Sequence, residues 1–135
     1  MKLLILILAV LVVLNILGFF YSTAPRMARR KDCEEFTRWM YAHRGLWSEE
    51  KEIPENSLPA FQRAVESGYA IELDVQITKD NRLVVFHDDT LNRMCRKEGR
   101  VCTYTLEELK QLQLKDTEFK IPEFREVLEI VDGKV

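Results

Sequence analysis

Two carboxylates and an imidazole lie close together near the middle of the chain. Glu72 and Asp74 are two residues apart in an apolar stretch, so on a β-strand both side chains would point to one face of the sheet. His87 closes the apolar run Leu83–Phe86 and is followed by Asp88. Carboxylate oxygens are ligands for Mg²⁺ or Ca²⁺, and imidazole serves general acid and base catalysis. These residues indicate a metal-assisted acid/base site at strand ends; for the two carboxylates alone, the alternative is a pair of solvated charges on a strand edge.

The second histidine of the chain also follows an apolar segment. His43 comes directly after the strand predicted at Trp39–Ala42, and Arg44 follows it. Two histidines, each followed by a charged residue, suit a general acid and base pair, and a guanidinium can hold an anionic group through parallel hydrogen bonds. The structural alternative for Arg44 is an ion pair with Glu55. From the residues alone, the set indicates metal-assisted cleavage of a phosphoester.

Strand and helix patterns alternate beyond residue 38. The predicted order is strand, helix, strand, strand, helix, helix and then the start of another strand at Lys134–Val135. The first helix runs from Ser57 to Gly68, the second carries a capping box at Thr105–Glu108, and the third extends from Ile121 to Gly133. This order favours an α/β fold with a largely parallel sheet, in which sites lie at the carboxyl ends of strands.

In the strand that carries the two carboxylates, every second residue is apolar. Ile71, Leu73, Val75 and Ile77 are predicted to share one face of a single strand, and that face is predicted to be buried. A polar turn at 79–81 then leads into the next strand. The segments 46–56 and 89–103 are predicted to be loops because they are polar and lack apolar periodicity.

The N-terminus is almost continuously apolar from Leu3 to Tyr21, which is long enough to cross a bilayer as a helix. We therefore predict a transmembrane anchor at residues 1–22, with a signal sequence as the alternative. A basic juxtamembrane linker is predicted at residues 23–38, and the remaining 39–135 form the folded domain. The positive charges of the linker, at Arg26, Arg29, Arg30 and Lys31, predict a single-pass protein of the cell membrane whose catalytic part is cytoplasmic.

Composition narrows the classes of partner. The 135 residues carry a formal net charge of −2, with no excess of positive charge outside one short run, which argues against nucleic acid as a partner. The three cysteines are an odd number without C-x-x-C spacing, which favours a reducing compartment; a pair between Cys95 and Cys102 is the alternative in an oxidising one.

Several short motifs follow one another in a fixed order. They are His43-Arg44-Gly45, Pro54-Glu55-Asn56-Ser57, Ile71-Glu72-Leu73-Asp74-Val75, and Val84-Val85-Phe86-His87-Asp88 with Leu91 and Arg93. In this order and spacing they resemble the glycerophosphodiester phosphodiesterase family, over about Tyr41 to Val135. The resemblance implies a TIM (β/α)8 barrel and hydrolysis of glycerophosphodiesters to an alcohol and glycerol 3-phosphate.

The resemblance also implies roles for individual residues. His43 and His87 would be the acid/base pair, and Arg44 would contact the substrate phosphate. A divalent cation, Mg²⁺ or Ca²⁺, would be bound by Glu72 and Asp74. Two further residues of the pattern would support the site, namely Glu55, by orienting Arg44 or reaching the metal, and Asn56.

A complete barrel needs about 250 residues, whereas roughly 95 follow Tyr41. The sequence therefore predicts an α/β chain that is the N-terminal portion of a truncated TIM barrel, preceded by a transmembrane helix. The family places a further carboxylate metal ligand on a later strand. We expect residues 22–135 alone to fold poorly and to show little or no hydrolysis of glycerophosphocholine. The alternatives are lysophospholipase D-type activity on membrane lipids and a non-catalytic truncated membrane protein.

Overall fold

The computed structural model describes residues 2–24 and 33–135, which fall into two compact units, Met1–Arg38 and Trp39–Val135. In the first unit, helix α1 spans Lys2–Thr23 and helix α2 spans Glu34–Thr37. None of the side chains of α1 is buried, and α1 is long and apolar enough to cross a membrane. A signal sequence has the same properties. Residues 25–32 of the predicted basic linker lie outside the described residues.

The second unit mixes strands and helices, and it has two short helical segments, at Asn92–Cys95 and Val101–Thr103, where the sequence predicted a loop. Its elements are β1 (Tyr41–His43), α3 (Leu58–Glu66), β2 (Ala70–Glu72), β3 (Val75–Ile77), β4 (Leu83–Val85), α4 (Asn92–Cys95), a 3-10 turn (Val101–Thr103), α5 (Leu106–Lys110) and α6 (Phe124–Val131). The predicted helix starts at Ser57 and Thr105 are confirmed, since both side chains cap their helices. The strand predicted at Lys134–Val135 is wrong, because these residues are irregular.

The single strand predicted across residues 71–77 is also wrong, because the chain breaks it into two. β2 pairs in parallel with β1, which places His43 opposite Glu72, whereas β3 pairs antiparallel with β4. Asp74 lies in the break, and its carbonyl oxygen accepts a hydrogen bond from the Phe86 N–H at 2.9 Å. Glu72 therefore ends one strand pair, and Asp74 leads into the other.

The apolar face predicted to be buried on this strand is only partly buried, and only in its first half. Ile71 and Leu73 pack against a core cluster of Phe61, Val85 and Val127. Val75 and Ile77 are 43% and 51% exposed. The alternation of apolar residues continues through the break, but the two halves belong to different strand pairs and meet different neighbours.

Strand β4 is the centre of the unit because both of its faces are buried. Val85 belongs to the cluster with Phe61 and Val127 on one side. Val84 and the following Phe86 belong to a larger cluster on the other side, which includes Leu91, Met94, Val101, Leu109, Leu114 and Ile121. Burial on both faces fixes the direction in which the chain leaves β4, and His87 is the first exposed residue beyond it.

The turn after β1 depends on close packing at Gly45. This residue has φ +82°, and a Cβ atom added to it would lie 2.9 Å from Ala60 Cβ and 3.0 Å from Phe61 Cδ1. We expect Gly45→Ala to lower the free energy of unfolding by about 2–3 kcal/mol, through left-handed strain and overpacking combined. Gly68→Ala is the matched control, because Gly68 has φ +71° but no atom within 4 Å of the added Cβ. It should cost only about 1 kcal/mol. Equal losses in urea unfolding would show that the contact with α3 does not matter.

Candidate active site

Arg44 lies at the centre of the residues that the motifs singled out. It follows β1 in a left-handed conformation, with φ 59°. Its backbone N–H donates to the Glu72 carbonyl oxygen at 2.9 Å, which continues the β1–β2 pairing by one residue. The guanidinium is largely buried, and its Nη1 donates to Glu55 Oε1 at 2.9 Å. Its Nε is 3.6 Å from Asp74 Oδ2, too far for a hydrogen bond but close enough for an ion pair. The predicted ion pair with Glu55 is therefore present, and the same guanidinium also reaches a candidate metal ligand.

The segment around Glu55 and Asn56 is buried against this arginine. Asn56 has φ 52°, and its backbone N–H donates to the Arg44 carbonyl oxygen at 2.9 Å. Its side-chain Nδ2 donates to Asp74 Oδ2 at 3.2 Å, while its buried Oδ1 has no hydrogen-bond partner among residues 2–24 and 33–135. The hydroxyl of Ser57 donates to the Pro54 carbonyl oxygen at 2.6 Å and closes the segment locally. Glu55 therefore bonds to Arg44, as it would if it orients that arginine, which is one of the two roles predicted for it. Asn56 bonds to Asp74.

Glu72 keeps most of its hydrogen-bonding capacity. Among the described residues, its Oε2 accepts only a long bond of 3.3 Å from the Arg44 N–H and lies 3.8 Å from His43 Nε2. His43 itself is 69% exposed at its side chain, so its ring faces solvent beside the carboxylate. His43 and Glu72 therefore lie at the carboxyl ends of a parallel strand pair, as predicted, whereas Asp74 lies beyond that pair and the strand before His87 is paired antiparallel, which the largely parallel sheet of the prediction did not include.

The carboxylates fit a hard divalent cation as part of a ligand set. Among residues 2–24 and 33–135, no group of three His, Cys, Asp or Glu side chains is placed to hold a metal ion. Mg²⁺ commonly uses one or two carboxylates together with waters and substrate oxygens, so Glu72 and Asp74 have the right donor chemistry for it. Glu55 already pairs with Arg44 and Arg93 through its Oε1.

His87 is joined to the rest of the site through two residues that received no role from the sequence. Its Nδ1 lies 2.6 Å from Asp88 Oδ1. Asp88 in turn accepts two hydrogen bonds from Arg93, and Arg93 also donates to Glu55 Oε1 at 2.7 Å. A continuous series of contacts therefore runs from Arg44 through Glu55, Arg93 and Asp88 to His87. Arg93 was visible in the sequence only as part of the family pattern, since its partner Glu55 lies 38 residues away.

The two acidic members of this series have lowered pKa values. For Glu55, burial raises the pKa, but hydrogen bonds from Arg93 and Arg44 outweigh it and leave the pKa below the ordinary 4.5. For Asp88, the hydrogen bonds from Arg93 are the largest cause; burial opposes them, the hydrogen bond to His87 adds to them, and the pKa falls from 3.8 to about 2. Both carboxylates are therefore ionised at neutral pH.

The lowered pKa of Asp88 predicts a loss of stability in acid. A carboxyl whose pKa is lower in the folded state stabilises the fold above the unfolded pKa, and this stabilisation is lost as the pH falls through the folded pKa. For Asp88 the window runs from pH 3.8 down to about 2, and the loss should be about 2 kcal/mol. Urea unfolding between pH 7 and pH 2 measures it. Asp88→Asn should be less stable than the wild type at pH 7 and should approach it at pH 2; parallel pH profiles of the two proteins would contradict the assignment.

Comparison with known proteins gives the class to which this site belongs. The model of the glycerophosphoryl diester phosphodiesterase family matches residues 43–135, from the first histidine to the last residue. The chain belongs to this family.

Three known proteins illustrate the similarity. A glycerophosphodiester phosphodiesterase of Caldanaerobacter subterraneus subsp. tengcongensis is 46% identical over 100 residues, which are 69% of this chain and 40% of that protein. A crystal structure of a glycerophosphoryl diester phosphodiesterase from Parabacteroides distasonis has a TM-score of 0.65 and 37% identity, covering 72% of this chain and 35% of that one. A phosphodiesterase of Oleispira antarctica, solved with its product sn-glycerol-3-phosphate, has a TM-score of 0.64 and 30% identity, covering 73% of this chain and 42% of that one. The chain covers 40% and 39% of the length of two curated glycerophosphodiester phosphodiesterases, the Caldanaerobacter protein and one from Bacillus altitudinis.

Proposed function

We propose that this chain supplies the first part of a TIM-barrel enzyme that hydrolyses glycerophosphodiesters to an alcohol and glycerol 3-phosphate. The observation that carries the proposal is the convergence of three separate motifs on one arginine. Arg44 contacts Glu55 from the second motif and Asp74 from the third, and its N–H donates to Glu72. Family membership and the similarity to solved phosphodiesterases support the same activity.

In the proposed mechanism, Arg44 binds the substrate phosphate. Its Nε is buried, has no hydrogen-bond partner within the described residues and lies 3.6 Å from Asp74 Oδ2. Glu55 and Asp74 flank the guanidinium and hold its plane. A fixed guanidinium loses little conformational entropy when it binds the substrate.

His43 and His87 carry out the proton transfers. One imidazole takes the proton of the nucleophile, which is either water or the glycerol hydroxyl of the substrate, and the other gives a proton to the leaving alkoxide. His87 is held through Nδ1 by Asp88, so its Nε2 is the atom available for this work. Glu72 and Asp74 would hold Mg²⁺ or Ca²⁺, which when bound neutralises charge on the phosphoryl oxygens.

The proposed location is the membrane, with residues 3–21 as a single-pass anchor and the catalytic part, residues 39–135, in the cytoplasm. This rests on the length and apolar composition of α1 and on the basic residues after it. An anchor of this kind would keep the enzyme at a lipid surface. Lysophospholipids are therefore the second candidate substrate class beside water-soluble glycerophosphodiesters.

A chimeric protein tests the function. The 135-residue chain is joined to the part of the Caldanaerobacter relative that follows the matched region, and hydrolysis is measured with glycerophosphocholine and, separately, with lysophosphatidylcholine. We expect glycerol 3-phosphate from the first substrate in Mg²⁺ or Ca²⁺, and loss of activity when EDTA removes the cation. Release of choline from the second substrate would favour the lysolipid alternative. A folded chimera that cleaves neither substrate would refute both.

A further inference from the structure

The guanidinium of Arg93 has protein partners for all of its nitrogens. Its Nε and Nη2 donate to Asp88 Oδ2 and Oδ1 at 2.8 and 2.9 Å, as two parallel bonds. Nη2 also donates to Glu55 Oε1 at 2.7 Å, and Nη1 donates to Met94 Sδ at 3.2 Å. Although 45% of this side chain is exposed, four of its five N–H donors are directed at the protein. Arg93 is therefore arranged to hold its neighbours rather than to bind an anion from solution.

The neighbours of Arg93 in sequence keep it in place. Leu91 is fully buried and Met94 is 2% exposed, so both anchor the short helix α4 in the larger core cluster. Arg93 lies between them on the first turn of that helix. Its guanidinium is thus fixed by core packing on one side and by two carboxylates on the other.

Asp88, which Arg93 holds in place, determines the tautomer of the His87 ring. An ionised carboxylate can only accept hydrogen bonds, so the 2.6 Å contact between Asp88 Oδ1 and His87 Nδ1 requires the proton to be on Nδ1. This leaves Nε2 of the neutral ring as the acceptor that a general base needs. Asp88 can impose this tautomer only while its own orientation is fixed, and the two parallel bonds from Arg93 fix it.

The other contact of Arg93 ties this arrangement to the arginine of the first motif. Glu55 Oε1 accepts from Arg93 and from Arg44, so one buried oxygen bridges both guanidinium groups. Glu55 is only 11% exposed at its side chain, which keeps water from replacing either partner. A shift of Arg93 would therefore disturb both His87 and Arg44.

We infer that Arg93 is a positioning residue that holds His87 in its Nδ1–H tautomer through Asp88 and couples it to Arg44 through Glu55. The inference rests on the proposed roles of His87 and Arg44, and it gives Arg93 a function that the proposed mechanism does not assign to it. It makes no use of a bound cation.

The test reads the tautomer directly. The full 135-residue chain is labelled with ¹⁵N-histidine in detergent micelles, and two-bond ¹H–¹⁵N spectra are recorded at about pH 8.5, where a free imidazole is neutral. We expect the Nδ1–H form for His87 in the wild type, a shift toward the Nε2–H form in Arg93→Met, and a smaller shift in Arg93→Lys. His43 is the only other histidine and serves as the internal reference, with unchanged signals in both variants.

Arg96→Met is the matched control, because Arg96 ends the same helix and its ion-pair partner in the described part of the chain is the exposed Asp116. It should leave the His87 signals unchanged. If Arg93→Met does not fold, Arg93→Lys carries the test, since an ammonium cannot form the two parallel N–H bonds of a guanidinium. An unchanged His87 tautomer in a folded Arg93 variant overturns the inference. Because no substrate is used, this result is independent of whether the chimera hydrolyses glycerophosphocholine.

Discussion

Replacing His43 by alanine should lower kcat for glycerophosphocholine in the chimera by about 10²–10⁴-fold, the usual contribution of a general acid or base. The ring lies beside Glu72 with its Nε2 3.8 Å from the carboxylate, and no core residue packs around it. The loss should therefore fall on kcat rather than on folding. Steady-state kinetics with saturating cation would measure it.

The control for this variant is a change of similar exposure away from the site. Lys97→Ala removes a charged, exposed side chain in the segment after α4 and should leave both kcat and the free energy of unfolding unchanged. His43→Ala should match Lys97→Ala in stability and differ from it only in kcat. A kcat within a few-fold of wild type would remove His43 from the proposed acid/base pair.

Glu55→Ala should lower the free energy of unfolding by about 3–5 kcal/mol, because the remaining partners of a buried ion pair are left uncompensated. Arg44 would lose its hydrogen bond of 2.9 Å, and Arg93 its bond of 2.7 Å. Glu55→Gln keeps the shape of the side chain and one acceptor oxygen but not the charge, so it should cost less. Urea unfolding monitored by tryptophan fluorescence gives both values.

Glu50→Ala is the control for the second prediction, since Glu50 is exposed in the same loop that leads to Glu55. A surface change of this kind should stay within about 0.5 kcal/mol of wild type. If Glu55→Ala were as mild as Glu50→Ala, the bridge between the two arginines would contribute nothing to stability, and its role as the link to Arg93 would be lost with it.

Local patterns carried most of what the sequence could predict. The helix that begins after Ser57 follows from its capping side chain and from the spacing of Phe61 and Ala64, both of which are fully buried. The alternation from Ile71 to Ile77 was equally regular, yet the strand breaks at Asp74. Apolar alternation indicates which side chains share a face of a strand. It does not indicate which neighbouring strand each half of the segment pairs with.

The sequence predicted those contacts of the site that join residues close together in the chain. The prediction was incomplete where contacts join residues far apart in the chain. The ion pair of Arg44 with Glu55 spans 11 residues and could be proposed from the sequence. The bond of Arg93 to the same oxygen spans 38 residues, and nothing local in the segment 89–103 distinguishes Arg93 from Arg96 or Arg100. The fold shows that Arg93, the one of the three in the family pattern, turns toward the site, whereas Arg96 and Arg100 pair with exposed aspartates.

The series of contacts through Glu55 also bears on the order of events during synthesis of the chain. Arg93 is made 38 residues after Glu55, which takes a ribosome about 2–8 s at about 5–20 residues per second. Over that interval the nascent chain contains only one of the two cations that neutralise the buried carboxylate. Lasting burial of the Glu55 segment must therefore wait for a residue translated seconds later, so this part of the site cannot reach its final form before Arg93 has left the exit tunnel.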